Sequence, residues 1–146
     1  MSNTDVLLDV RELTIEYVSD ERAVRGADRV TFQIAPGEIL GLAGESGCGK
    51  STIANAVMRL LKDPARITTG SIHFDGQDVL GMSPQRLRDW RWREAAMVFQ
   101  SAMNSLNPVM TIGDQIMDAL LVHRKITEEQ AEEHAREMLR IVGIEP

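Results

Sequence analysis

The residues best equipped for chemistry form one run, Gly44-Glu45-Ser46-Gly47-Cys48-Gly49-Lys50-Ser51. It fits G-x-x-x-x-G-K-[ST], the phosphate-binding loop of nucleoside triphosphatases. Each residue type has a physical reason to be there. Glycines let the main chain adopt positive φ and come close to a phosphate. Successive N–H groups make an anion-binding nest. A helix starting at Lys50 adds unpaired N–H groups and the positive end of its dipole. Lys50 brings a full charge to the β- and γ-phosphates, and the Ser51 hydroxyl is a ligand for Mg²⁺. The competing reading is a glycine-rich strand-to-helix turn with a surface lysine. The flanking pattern disfavours it, because the run follows an apolar segment and opens a helical one.

The elements that must position this loop are legible on both sides. Val6, Leu8, Val10, Leu13, Ile15 and Tyr17 mix alternation with β-branched residues and predict a strand over 6–17, and Val30, Phe32 and Ile34 face inward on a second. Residues 19–22 form a polar turn, and Pro36-Gly37 another. The apolar run 39–43 predicts a strand buried on both faces of a parallel sheet. The spacing of Ile53, Val57, Leu60 and Leu61 predicts a helix over 51–61, ended by Pro64. Residues 71–74 read as a strand followed by an Asp75-Gly76 turn. Ser83-Pro84 is an N-cap with proline at the first helical position, opening a helix to about Arg91. Residues 95–99 predict a second apolar strand and 101–108 a loop. Thr111 with Asp114, and Thr127 with Gln130, mark two capping-box helix starts, with Gly143 as a stop. The order predicts an α/β fold with a mixed β-layer.

Bulk properties narrow the function classes. The chain has 146 residues, 43% of them hydrophobic, as in a soluble globular domain, and a formal net charge of −6. Acidity of this degree gives no general attraction to nucleic acid or anionic lipid. Cys48 is the single cysteine, so no intrachain disulfide is available and a reducing compartment is expected. The N-terminal residues lack the pattern of a signal peptide. No apolar stretch has the length of a transmembrane helix, so membrane association is expected only through partners.

With these elements in place, the sequence resembles the ATP-binding subunit of ABC transporters. Pro36-Gly37-Glu38 before the run 39–43 is similar to the family's approach to its phosphate loop. Gly70-Ser71-Ile72-His73-Phe74-Asp75-Gly76 resembles its following hairpin, and Met97-Val98-Phe99-Gln100 its Q-loop. Ser105-Leu106-Asn107-Pro108 and Ile112-Gly113-Asp114-Gln115-Ile116 resemble the branch that imports dipeptides, oligopeptides or nickel. The resemblance implies a P-loop NTPase of ABC type: a β-rich N-terminal layer, a strand–P-loop–helix core within 1–100, and the Q-loop with the start of a helical subdomain within 101–146. It also implies the cofactors ATP and Mg²⁺. Gly44, Glu45, Ser46, Gly47, Cys48, Gly49, Lys50 and Ser51 would hold the phosphates, Thr52 would contact the α-phosphate, and Ser51 and Gln100 would serve the metal. Gln100 would also position the attacking water. Tyr17 stands where the family stacks an aromatic ring on adenine, although a strand aromatic needs no ligand to explain it. The implied partners are a second ATP-binding subunit, membrane permeases met around the Q-loop and, indirectly, a solute-binding protein, at the cytoplasmic face of the membrane. No nucleic acid is expected.

The family's Leu-Ser-Gly-Gly-Gln signature, Walker B strand, catalytic Glu and switch His do not occur before Pro146, so the C-terminal half of the domain is absent from these residues. Two expectations follow. The chain alone binds ATP without meaningful turnover, because the general base for water is missing. The apolar strand of the phosphate loop lacks parallel neighbours, leaving a sheet edge and an apolar face exposed. A truncated nucleotide-binding module and an ABC-type DNA-repair ATPase are the alternative readings. The Leu106-Asn107-Pro108 segment argues against the second.

Other residues have plainer readings. Cys48 is either a thiol open to alkylation and protected by nucleotide, or simply a small residue tolerated in the loop. Arg86, Arg88, Arg91 and Arg93 around Trp90 and Trp92 suggest a solvated helix face with one or both indoles packed inward, rather than a nucleic-acid surface. His73, His123 and His134 have no metal-ligand spacing. Glu128, Glu129, Glu132, Glu133 and Glu137 read as an exposed acidic helix face.

Overall fold

The computed structural model describes residues 6–19, 22–99 and 106–145. Its elements in chain order are strands β1 (Leu8–Val18) and β2 (Ala23–Ile34), helix α1 (Lys50–Val57), strands β3 (Ala65–Phe74) and β4 (Gln77–Asp78), and helices α2 (Pro84–Arg93), α3 (Ile112–His123) and α4 (Glu128–Ile141). They fall into two compact units, Met1–Arg88 and Asp89–Pro146.

In the first unit, four strands form one antiparallel sheet in the order β2-β1-β3-β4. Alternation along β1 and β3 buries Val10, Leu13, Ile15 and Ile72, and α1 adds Ile53 and Ala56 to the core. Val30, Phe32 and Ile34 of β2 are half-buried while their neighbours Arg29, Thr31 and Gln33 are exposed, as the pattern predicts. The sheet is not regular. Glu12 and Arg29 carry positive φ (46° each), and the β1–β2 and β1–β3 registers shift beside them. Gly70 (φ +98°) faces the first of these bulges, where a Cβ would stand 2.6 Å from the Glu12 carbonyl oxygen. The Arg29 N–H is satisfied by Thr14 Oγ1 at 3.2 Å, which explains the one polar side chain buried among the described residues. Bulges bend and twist a strand pair. Here the far end of the β1–β2 hairpin reaches α1.

The turns form where the residue types require them. Gly37 (φ +77°) follows Pro36, and the turn closes with Glu38 N–H on Ala35 O at 3.1 Å. Asp75 and Gly76, with φ of 46° and 74°, join β3 to β4. Ser19 and Arg22 exchange bonds across the β1–β2 connection.

Helix α1 is shorter than the apolar spacing predicts. It ends at Val57, because Arg59 turns left-handed (φ +51°) and Leu60 N–H bonds back to Asn55 O at 2.7 Å. Arg59 tolerates this conformation in a specific setting: its guanidinium donates to the Met82 and Val79 carbonyls at 2.8 and 3.3 Å. Ser83 caps α2 through its Oγ on Arg86 N–H at 3.2 Å.

In the second unit, Thr111 Oγ1 accepts from Asp114 N–H at 3.1 Å to open α3. Thr127 and Gln130 form a complete capping box on α4. The two helices pack together, burying Leu120, Ala131 and Ala135. Gly143 (φ +76°) follows the end of α4, as expected. Of the two tryptophans, Trp90 is fully buried and Trp92 is 68% exposed, the latter after a break in α2 at Arg91 and Trp92. Residues 128, 129, 132, 133 and 137 are the exposed acidic face expected for α4.

Two predicted strands do not form. Residues 39–43 and 95–99 belong to no strand, and the second run contributes only an isolated bridge between Arg91 and Ala95. Ile39 and Val98 are each 96% exposed, and Leu40, Leu42 and Phe99 are exposed as well. A strand is a pairing rather than a local conformation, and among the described residues neither run has a ladder to join. The exposed apolar side chains are those expected of a parallel strand without neighbours.

Candidate phosphate-binding site

The phosphate-loop sequence lies between an unpaired apolar segment and α1. Gly47 (φ +81°), at a position the motif leaves open, and Gly49 (φ +96°), one of its two fixed glycines, take left-handed conformations that favour glycine. Gly49 is also the N-cap of α1, and it supplies no side-chain cap. The first bond inside the helix runs from Ile53 N–H to Gly49 O at 2.9 Å, so the N–H groups of Lys50, Ser51 and Thr52 precede the helical ladder. These groups and the helix dipole favour an anion.

Lys50 folds back over the loop. Its Nζ donates to Glu45 O at 2.6 Å and Gly44 O at 2.8 Å, and lies 3.3 Å from Cys48 Sγ. The ammonium is therefore held at the centre of the loop, within reach of anything bound there. Cys48 is exposed, with its sulfur packed across Gly44. Glu45 and Ser46 are exposed on the same loop, and Ser51 is exposed on the first turn of α1.

Sequence reasoning singled out Tyr17, and the structure brings it to this loop. Its hydroxyl lies 2.9 Å from Thr52 Oγ1, and the residue is 38% exposed. A residue that reasoning missed holds the ring there. Gly26 of β2 lies beneath it, where an added Cβ would meet Tyr17 Cε2 at 2.6 Å. The Gly26 carbonyl oxygen also abuts Gly49, leaving no room for a side chain at either glycine. A glycine inside a strand signals such close approach, and that signal was present in the sequence. Gln100 lies outside the described residues, so its predicted place beside the metal has no geometry here.

The Leu106-Asn107-Pro108 segment is organised by Gln115. The Gln115 Oε1 accepts from Asn107 N–H at 2.8 Å, and its Nε2 donates to the carbonyls of Asn107, Met110 and Thr111 at 3.0–3.3 Å. No group of three or more potential metal-ligating His, Cys, Asp or Glu side chains exists among the described residues. Among the described residues, no helix is long and apolar enough to cross a membrane.

The family model described as ABC transporter matches residues 27–146. The chain belongs to the ABC transporter family. It is 43% identical over 141 residues to a probable peptide ABC transporter ATP-binding protein of Sinorhizobium fredii, covering 96% of this chain and 42% of the relative. An oligopeptide transport ATP-binding protein of Bacillus subtilis is 40% identical over 142 residues, covering 94% and 39%. Among solved structures, a dimeric ATP-binding cassette in a post-hydrolysis state with ADP and phosphate superposes with a TM-score of 0.75 at 24% identity, covering 94% of this chain and 58% of the other. That likeness establishes the ABC ATPase fold. The chain spans about two fifths of the length of these curated relatives.

Proposed function

We propose that Gly44, Glu45, Ser46, Gly47, Cys48, Gly49, Lys50 and Ser51 bind the triphosphate of ATP, as part of an ATPase that drives import of a peptide-like or nickel solute. The observation that carries this reading is the Lys50 ammonium, centred on the loop carbonyls at the uncapped start of α1. A phosphate oxygen would take one of the three ammonium protons, which are directed to the Gly44 and Glu45 carbonyls and to Cys48 Sγ. This is a substitution of one charge-assisted bond by a stronger one between opposite charges. Gly49 fits the role sterically, since its backbone lies where a side chain would not fit.

Mg²⁺ fits as a phosphate-bound ion that takes few protein ligands, and it would neutralise charge developing on the phosphates. The exposed Ser51 hydroxyl supplies one oxygen, and Gln100 is the second residue assigned to it. Thr52 would contact the α-phosphate, and Tyr17 would stack on the adenine. The relatives are named as transport ATP-binding proteins, and this supports the assignment of permease partners, a second ATP-binding subunit and, indirectly, a solute-binding protein, at the cytoplasmic face of a membrane.

The reading is tested by titrating MgATP into the 146-residue chain and its Lys50→Ala variant. Loss of one charge-assisted bond predicts affinity reduced about ten- to hundredfold. Equal binding by both would overturn it. A steady-state assay is expected to show no turnover by these residues alone. Turnover abolished by Lys50→Ala would show that they carry a complete active site.

A further inference from the structure

The Tyr17 hydroxyl and Thr52 Oγ1 are 2.9 Å apart, and either atom is able to donate. The chemistry of the loop's ligand selects the direction. A phosphate oxygen at physiological pH accepts hydrogen bonds and does not donate them. A threonine hydroxyl has one proton and two lone pairs, and a phenol has one proton. If Thr52 spends its proton on phosphate, the bond between the two hydroxyls must run from Tyr17 to Thr52. Accepting from Tyr17 also confines the Thr52 rotor, since one lone pair is fixed and the proton is left to the remaining directions.

The surroundings hold Tyr17 in that position. Its ring lies on Gly26, where an added Cβ would stand 2.6 Å from Cε2 and 3.4 Å from Thr52 Cγ2. Among the described residues, Tyr17 Oη has no other hydrogen-bond partner. β1 supplies the phenol, β2 supplies the floor, and α1 supplies the acceptor.

We propose that Tyr17 is a positioning residue of the phosphate site: its hydroxyl donates to Thr52 and aims the Thr52 O–H at a phosphate oxygen. This role belongs to the phenolic oxygen and is separate from any stacking by the ring. It rests on the reading of this loop as a triphosphate site.

The test uses two probes, MgATP and inorganic triphosphate with Mg²⁺, the second having no base to stack. They are titrated into the wild-type chain, Tyr17→Phe, Thr52→Val, Thr52→Ser and the Tyr17→Phe/Thr52→Val double variant. Tyr17→Phe keeps the ring and is expected to weaken both probes by the same factor, about three- to tenfold. Thr52→Ser keeps the hydroxyl and should recover most of the affinity that Thr52→Val loses. In the Thr52→Val background, Tyr17→Phe should have no further effect, because the two hydroxyls act as one unit. The proposal is overturned if Tyr17→Phe binds inorganic triphosphate as wild type does, or if the two single effects multiply. A wild-type chain that binds neither probe overturns the triphosphate reading itself.

Discussion

Gly26 and Gly49 meet backbone to backbone: the Gly26 carbonyl oxygen occupies the space that a Cβ on Gly49 would need. One glycine lies inside a strand and the other caps a helix, and their contact seats the β1–β2 hairpin on the phosphate loop.

Gly49→Ala should therefore fail twice. A non-glycine residue at φ +96° costs about 1–2 kcal/mol, and the methyl group displaces β2 from the loop. The expected outcome is a protein of lower thermal stability that no longer binds MgATP. An alanine variant with wild-type melting temperature and affinity would show that the approach is not maintained in solution.

Cys48 offers a direct report on the loop. The thiol is exposed, and its sulfur is 3.3 Å from Lys50 Nζ and packed across Gly44. A ligand that draws Lys50 away and covers the loop should slow maleimide labelling of Cys48 severalfold. Because the chain contains no other cysteine, mass spectrometry reads this as a single modification. Equal labelling rates with and without MgATP would separate the thiol from the ligand site.

Asp9 makes the pH-sensitive bond of the sheet. Its carboxyl is held below the ordinary carboxylate value, chiefly by the hydrogen bond from Arg11; burial opposes this, and the hydrogen bond from Gln33 adds a lesser lowering. The folded state thus favours the ionised form. Its stabilising contribution is present above the unfolded pKa of about 4 and is lost as pH falls through the lower folded value. Asp9→Asn should cause a small loss of stability near neutral pH, as for other exposed ion pairs, and the difference should vanish in strong acid. Urea melts at several pH values check this. A difference that is constant with pH would assign the effect to packing.

Gln115 holds the segment before α3 through four hydrogen bonds to main-chain groups. Gln115→Ala should leave the helix intact while raising amide exchange at Asn107 several-fold, with a stability loss of about 1 kcal/mol. Unchanged protection at Asn107 would show that the turn forms without the side chain.

What the sequence by itself determined is everything whose cause lies within a turn or two of chain. The glycine turn at Gly47 and Gly49 before α1, the caps at Ser83, Thr111 and Thr127, and the turns at Pro36-Gly37 and Asp75-Gly76 are local arrangements of φ, side-chain oxygen and nearby N–H, so residue type and spacing suffice. Only the tertiary structure decided the rest. Residues 39–43 and 95–99 have the composition of strands yet form none, because a ladder needs a second chain segment that periodicity cannot supply. The bulges at Glu12 and Arg29 shift the register of the sheet; the step of three from Val10 to Leu13 marks the first of them in the sequence, but not which strand ends it brings together. Tyr17 reaches Thr52 across 35 positions of sequence. Its place is set by the twist of the sheet and by the two glycines that let the backbones close, so its hydroxyl acquires a partner only once the chain is folded.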